Sequence, residues 1–257
     1  MMTATNTRKE ARESLKGKWG KAVLIFLAYG VILYLIQLVL KTIEKNNELL
    51  YLILSIGEII ISVPILYGFV IAFMKLKRGE EVNSFDFLTL GFSNFKRSWD
   101  VAWNEFLVIV VPFLIMLVIL FVVSGYLVYS SGLIMSSSSF KYIITSNYIV
   151  FVISLIAIMA CTIWSIVKRY SIALAKYIAY DEPGLSGKEA VKKSKQLIQG
   201  NKGNLFVLEL SFIGWAILAI LTLGIGYLWL MPYINVSQIC FYEELKNKNK
   251  LEQKIES

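Results

Sequence analysis

Six apolar runs recur along this chain of 257 residues and constrain its fold more than any other feature. A transmembrane helix needs about 20 apolar residues to cross a hydrocarbon core of roughly 30 Å, whereas the strands of a membrane barrel show alternating segments of about 10 residues. The runs cover residues 22–40, 49–74, 106–130, 143–167, 204–223 and 226–242. The sequence therefore predicts an all-α fold: a polytopic transmembrane helical bundle of about six helices in three hairpins.

Lysine and arginine residues fall on alternate sides of these runs. Of the 26 in the chain, 23 lie before the first run, between the second and third, between the fourth and fifth, or after the sixth. The other loops contain only Lys41, Lys45 and Lys141. Because cytoplasmic loops carry the excess of Lys and Arg, we expect a multi-pass membrane protein with its N and C termini in the cytoplasm.

The last two runs could form one helix or two. A single helix over residues 204–242 would be about 58 Å long, nearly twice the thickness of the hydrocarbon core. Gly224 and Gly226 offer a place for the chain to turn. We therefore expect two helices joined by an external turn; a five-helix alternative would place the tail outside.

The chain divides into three predicted regions. Residues 1–21 form a cytoplasmic, basic and amphipathic N terminus, residues 22–245 form the six-helix transmembrane domain, and residues 246–257 form a cytoplasmic charged tail. No small-residue cleavage motif follows the first run, so we expect that run to remain as an anchor.

A cytoplasmic amphipathic helix is predicted before each hairpin: at the N terminus, near 98–106 and near 186–200. In the third, Ser186 and Glu189 have the spacing of a capping box, in which each side chain satisfies a backbone donor at the start of the helix. Helical spacing gives this helix an apolar and a basic face. The apolar residues are Ala190, Val191, Leu197 and Ile198, and the basic residues are Lys188, Lys192, Lys193 and Lys195.

The second amphipathic helix has a predicted apolar face of Trp99, Ala102, Trp103 and Phe106. The first and third resemble one another near their ends. Gly17-Lys18-Trp19-Gly20 closes the first, and Gly200-Asn201-Lys202-Gly203 closes the third. This likeness raises the hypothesis of a duplicated unit.

The basic face has two interpretations. The apolar side of each helix could rest at the lipid boundary while lysines contact anionic headgroups, an interaction of roughly 1 kcal/mol per basic residue. Alternatively, the lysines form a docking surface for a membrane protein, a peptide or an anionic substrate. The expected partner is thus the bilayer with its anionic headgroups or such a protein or peptide, and no nucleic acid is expected.

Two carboxylates lie inside apolar runs. Glu58 is in the middle of the second run, where a charge costs a few kcal/mol unless it faces a bundle interior or water. It could serve as a proton or cation relay or contact a polar substrate, or it could be a protonated side chain bonded to a neighbouring helix. Glu209 is nearer the predicted cytoplasmic interface, within reach of Lys202 or a headgroup.

Three prolines, Pro64, Pro112 and Pro232, also lie inside apolar runs. Proline removes one helical hydrogen bond, and a neighbouring helix must then satisfy the freed carbonyl. The sequence therefore predicts helix kinks at these three positions.

Catalytic and metal-binding motifs are missing from the sequence. It contains no histidine, no metalloprotease, serine-hydrolase or phosphate-loop motif, and no CxxC pair. Cys161 and Cys240 lie in separate apolar runs and suggest neither a disulfide nor a metal pair. We expect no enzyme activity, no cofactor and no metal.

Two blocks of sequence resemble an uncharacterised family of integral-membrane proteins from Gram-positive bacteria, known as domain of unknown function 975. The first block is residues 11–22. The second includes Tyr180-Asp181-Glu182-Pro183, residues 210–215, residues 223–229 and Phe241-Tyr242-Glu243. The resemblance implies a bacterial plasma-membrane protein with about six helices and a kinship to the membrane domain of some glycerophosphodiester phosphodiesterases. It brings no catalytic residues.

Three classes of function are compatible with these features. The first is a non-enzymatic protein for transport or envelope maintenance, in which Glu58 would be the coupling carboxylate if transport occurs. The second is an immunity or interaction module that binds a peptide or another membrane protein. The third, which the missing motifs disfavour, is a membrane enzyme acting on lipid.

Overall fold

The computed structural model describes residues 3–45, 47–134 and 140–256, and within these ranges the fold is all-α, without a β-strand. The helices are α1 (Ala4–Leu15), α2 (Trp19–Glu44), α3 (Glu48–Arg78), α4 (Asp86–Ser93), α5 (Phe95–Ile134), α6 (Phe140–Ile172), α7 (Ala175–Asp181), α8 (Gly187–Leu197), α9 (Lys202–Leu210), α10 (Ile213–Leu221) and α11 (Tyr227–Glu256). The predicted fold class is confirmed.

The chain separates into two compact units. The first comprises Met1–Asn104 and Ser171–Ser257, and the second comprises Glu105–Tyr170. The second unit consists of the larger parts of α5 and α6, and most of its large apolar side chains are exposed; Phe121 is 79% exposed. Such a surface is favourable only in an apolar surrounding, as expected for helices that face lipid.

Five helical stretches in the described residues are long and apolar enough to cross a membrane. They are Trp19–Glu44, Glu48–Arg78, Phe95–Tyr126, Val150–Asp181 and Lys202–Leu221. Each contains most of one of the first five predicted runs. The chain therefore has the helices of a multi-pass membrane protein.

The sixth predicted run, 226–242, differs from the prediction. It forms the start of α11, which is not among the stretches apolar enough to cross, because Asn235 and Gln238 interrupt the run and Glu243 follows it directly. α11 instead packs against α1, α2, α3 and α10, and its apolar residues between Val236 and Leu245 are buried in protein. A helix covered by other helices does not need the uniformly apolar surface of a lipid-facing helix. The charged tail continues α11 as far as Glu256.

The last two runs form separate helices, as predicted. α10 ends at Leu221 and α11 begins at Tyr227, and the backbone between them turns through positive φ at Leu223 (55°) and Gly224 (87°). A Cβ at Gly226 would lie 2.8 Å from the Ala219 Cα, so glycine permits this close return of the chain. The predicted external position of the turn is wrong, because Thr222 and Gly226 lie beside Arg8 and Arg12 of α1, which belongs to the predicted cytoplasmic N terminus.

The helices α1 and α8 form where the first and third amphipathic helices are predicted, and the capping box of Ser186 and Glu189 forms as predicted. Gly17 and Gly200, which follow them, both have φ of +77°. The residues ten, six and two positions before each glycine are all buried. The matched pairs are Thr7 with Ala190, Ala11 with Ser194, and Leu15 with Ile198. This shared geometry favours the hypothesis of a duplicated unit.

The second predicted amphipathic helix is not a separate helix. Residues 98–106 belong to the continuous helix α5, and the separate short helix before it is α4. Ser98 and Val101 are the buried residues of this turn, whereas Trp103 and Phe106 are each more than half exposed. α5 continues through Ile134. Residues 135–139 lie outside the described residues.

α3 and α4 approach each other at two glycines. A Cβ on Gly68 would overlap the Phe87 carbonyl oxygen, and one on Gly91 would overlap the Pro64 carbonyl oxygen. The rings of Phe87 and Tyr29 lie beside this contact, with centroids 5.9 Å apart. Small residues at the crossing allow the two backbones to come this close.

Candidate functional site

Glu58 is half-buried on α3 and is hydrogen-bonded to a neighbouring helix. Gln37 Nε2, from α2, donates to Glu58 Oε1. A carboxylate and a protonated carboxyl group can both accept such a bond. The geometry thus joins α2 to α3 through Glu58, and its role as a relay remains a prediction.

Glu209, on α9, is hydrogen-bonded to α11. Gln238 Nε2, from α11, donates to Glu209 Oε1 at 3.1 Å, and the contact with Lys202 or a headgroup remains a prediction. Gln238 Oε1 in turn accepts a hydrogen bond from the Tyr177 hydroxyl at 3.4 Å. A glutamine amide can reach Glu209 because α9 and α11 pack together. Glu58 is therefore hydrogen-bonded to α2 and Glu209 to α11, and the two carboxylates do not pair with each other.

The three prolines all lie inside helices: Pro64 in α3, Pro112 in α5 and Pro232 in α11. Pro64 has no N–H, so the Ile60 carbonyl one turn earlier loses its helical donor. The Trp99 indole replaces that donor, with Nε1 at 3.2 Å from the Ile60 oxygen. Kinks at the three prolines remain predictions.

All four lysines of the basic face of α8, Lys188, Lys192, Lys193 and Lys195, are exposed. Lys193 forms an ion pair with Glu182, with Nζ and Oε2 2.6 Å apart. The backbone and hydroxyl of Ser186 both donate to Glu189, and these hydrogen bonds lower the pKa of that carboxyl.

The opposite side of α8 is covered by protein. Ala190, Val191, Ser194 and Ile198 are buried, and Leu197 is half-buried. Ser194 Oγ donates to the Ser171 carbonyl at 3.0 Å and accepts from the Leu174 N–H at 3.2 Å. It thus satisfies the backbone at the break between α6 and α7. The expectation that this apolar side rests on lipid is wrong, because it packs against α7.

An ion cluster that the sequence did not predict joins α1, α3, α7 and α11. Asp181 is at its centre, with a side chain only 5% exposed. Arg78 donates to both of its carboxylate oxygens, at 2.8 and 3.0 Å, and the Tyr242 hydroxyl donates at 2.9 Å. Lys246 forms a further ion pair with Asp181.

A second carboxylate, Glu243, extends this cluster. It accepts from Arg78 Nε at 2.9 Å and pairs with Lys77, which also lies 3.2 Å from Glu10. Three basic and three acidic side chains thereby balance one another. A polar network that is internally satisfied stabilises helix packing and leaves little charge for a ligand.

Arg97 was also missed. Its guanidinium, at the start of α5, donates to the carbonyls of Ala179 at 2.6 Å and Leu185 at 2.9 Å, and to that of Pro183. It therefore fixes the loop between α7 and α8, which positions the basic face of α8. The sequence signal for these residues was a charge outside the apolar runs, at Arg97, Asp181 and Glu243.

Within the part of the chain that the structure describes, no three Cys, Asp or Glu side chains cluster in a way that could hold a metal ion. The two carboxylates inside the apolar runs, Glu58 and Glu209, each accept a hydrogen bond from a glutamine amide. These pairs can hold neighbouring helices together. The exposed lysines of α8 can bind negatively charged groups.

The family model described as "Protein of unknown function (DUF975)" matches residues 1–249. No curated protein and no solved structure matches the chain. The kinship with the membrane domain of glycerophosphodiester phosphodiesterases remains a prediction.

Proposed function

The chain belongs to the DUF975 family, whose function is unknown, and we propose that it is a non-enzymatic protein of the bacterial plasma membrane. Its role is envelope maintenance through binding of anionic lipid or of a partner at the basic face of α8. Both termini lie in the cytoplasm, where the positive-inside rule places the lysine-rich segments.

The rigid presentation of this basic face is the observation that carries the proposal. α8 is anchored by its buried side against α7, by its capping box, and by Asp100, whose Oδ2 accepts from the Gly187 N–H at 2.5 Å. Lys188, Lys192 and Lys195 extend from it into solvent. A fixed row of ammonium groups favours the binding of anionic headgroups or of an acidic surface on a partner.

The deep polar groups support binding rather than transport. Glu58 and Glu209 are each engaged by a glutamine from a neighbouring helix. Only 6% to 22% of each candidate span is buried inside the protein, so the spans present most of their surface outward. A transporter would instead direct its carboxylates into a shared cavity near the midplane.

Transport through Glu58 is the second candidate, favoured by its depth and by its half-buried position on α3. An immunity function is a third, in which the same lysines bind a peptide. A deletion strain profiled for lipid composition, for ion and drug tolerance, and for sensitivity to antimicrobial peptides separates these roles.

Altered lipid composition or envelope sensitivity, with normal ion and drug tolerance, is the result expected for envelope maintenance. Sensitivity confined to one peptide would instead favour immunity. Altered ion or drug tolerance that depends on Glu58 would replace the binding role with transport.

A further inference from the structure

A pocket of about 440 Å³ lies where α1, the start of α2, α10 and the start of α11 meet. One wall is apolar and includes Trp215, Leu218 and Trp229. The other wall carries Arg8 and Arg12 from α1. Two guanidinium groups beside an aromatic and aliphatic wall match a ligand with an anionic head and an apolar tail.

Arg8 is held in place and yet retains donor capacity. Its Nη1 donates to the Ser211 carbonyl at 3.1 Å, and its guanidinium lies 6.0 Å from the Phe212 ring centroid. The Arg8 carbonyl accepts from the Tyr233 hydroxyl at 3.1 Å. Its Nε is buried and has no acceptor among the described residues. A buried donor without an acceptor is costly, and an anionic oxygen would satisfy it.

Arg12 provides the second charge. It follows Arg8 by one helical turn, so both side chains lie on the same face of α1. Arg12 is exposed, and none of the carboxylates in the described part of the chain forms an ion pair with it. The balanced cluster around Asp181 uses Lys77, Arg78 and Lys246 instead.

The apolar wall continues along a candidate membrane span. Trp215 and Leu218 belong to the stretch Lys202–Leu221, and both are more than half exposed. Tryptophan is enriched where a bilayer changes from headgroup to hydrocarbon, and Trp19, Trp215 and Trp229 all line this pocket. An acyl chain can therefore follow this wall while its headgroup remains at the arginines.

We propose that this pocket binds one anionic phospholipid of the surrounding bilayer, with the phosphate at Arg8 and Arg12 and an acyl chain against Trp215 and Leu218. The site rests on the proposed membrane location, but it uses different residues from the lysine face of α8. Loss of one site therefore leaves the other intact.

The test counts lipid retained by the purified full-length protein in a mild detergent. Equal amounts of phosphatidylglycerol and phosphatidylcholine are added, and bound lipid is measured by native mass spectrometry. The wild type should retain phosphatidylglycerol preferentially. Arg12→Gln should lower that retention about fivefold, the equivalent of roughly 1 kcal/mol for one basic residue at a headgroup.

Lys9→Gln combined with Lys16→Gln is the matched control, because both lysines lie at the same end of the chain and neither lines the pocket. It removes two charges and should leave retention unchanged. The proposal is overturned if Arg12→Gln behaves like this control, if both variants lose lipid equally, or if excess glycerol 3-phosphate displaces the lipid. These outcomes concern purified protein and do not decide the cellular role proposed for α8.

Discussion

The Trp99 indole donates its N–H to the Ile60 carbonyl, the group that Pro64 leaves without a helical donor. The distance from Nε1 to the carbonyl oxygen is 3.2 Å. This bond ties the start of α5 to the middle of α3, within the candidate membrane span Glu48–Arg78. A proline inside a membrane helix is thereby tolerated, because a neighbouring side chain supplies the missing hydrogen bond.

Trp99→Phe should destabilise the protein by about 1–3 kcal/mol, since it leaves a carbonyl unsatisfied. Thermal unfolding in detergent measures the loss. Trp103→Phe is the control, because Trp103 is 54% exposed on the same helix. In a Pro64→Ala background the restored backbone N–H can donate to the Ile60 carbonyl, so Trp99→Phe should then cost less. An equal cost in both backgrounds would contradict the proposed compensation.

Gly68→Ala should destabilise the contact between α3 and α4 by about 1–3 kcal/mol or more, because the added methyl group overlaps the Phe87 carbonyl. Gly57→Ala is the control in the same helix, since no described atom lies within 4 Å of a Cβ there. That control should be neutral or slightly stabilising. Unfolding temperatures of the two variants check the contact, and equal values would refute it.

Asp181→Asn should cost about 3–5 kcal/mol, because it leaves the charges of Arg78 and Lys246 without their central partner. The adjacent substitution Glu182→Gln removes an exposed pair with Lys193 and should cost less than about 1 kcal/mol. Chemical denaturation of both variants distinguishes the two pairs. A similar loss for both would mean that the cluster does not hold the helix ends together.

Acid should loosen the start of α8. Hydrogen bonds from Ser186 lower the folded-state pKa of Glu189, so the stabilisation is present above the ordinary carboxyl pKa and is lost as the pH falls through the lowered value. Hydrogen exchange of the first α8 amides, corrected for intrinsic rates, should therefore accelerate in acid. Glu189→Gln, which has no ionisable carboxyl group, should remove this pH dependence, whereas Ser186→Ala keeps the backbone donor and should remove only part of it. If these amides instead became more protected from hydrogen exchange in acid, the predicted direction of the effect would be contradicted.

Local patterns in the sequence predicted the features that depend on nearby residues. The first five apolar runs predicted lipid-facing helices, and Ser186 with Glu189 predicted the start of α8. The prediction of a separate helix near 98–106 was wrong because these residues continue without a break into the helix of the third run. The sixth run is less apolar than the other five, because α11 packs against other helices and can carry Asn235 and Gln238.

Contacts between distant segments could not be predicted. Arg78 and Asp181 are separated by 103 residues, and Tyr233 and Arg8 by 225. Their pairing depends on how α1, α3, α7 and α11 pack, which no local pattern specifies. The pairing of Gln37 with Glu58 and of Gln238 with Glu209 likewise depends on helix packing and could not be predicted.

Complementation of a deletion strain tests a binding role against a transport role most directly. Glu58→Gln keeps a side chain that can pair with Gln37, so this variant should restore the envelope phenotype fully. Reversal of charge at α8 should fail to restore it, while arginine at the same four positions should succeed. The substituted positions are Lys188, Lys192, Lys193 and Lys195. Failure of Glu58→Gln together with full rescue by the charge-reversed chain, both at normal membrane levels, would contradict the binding role.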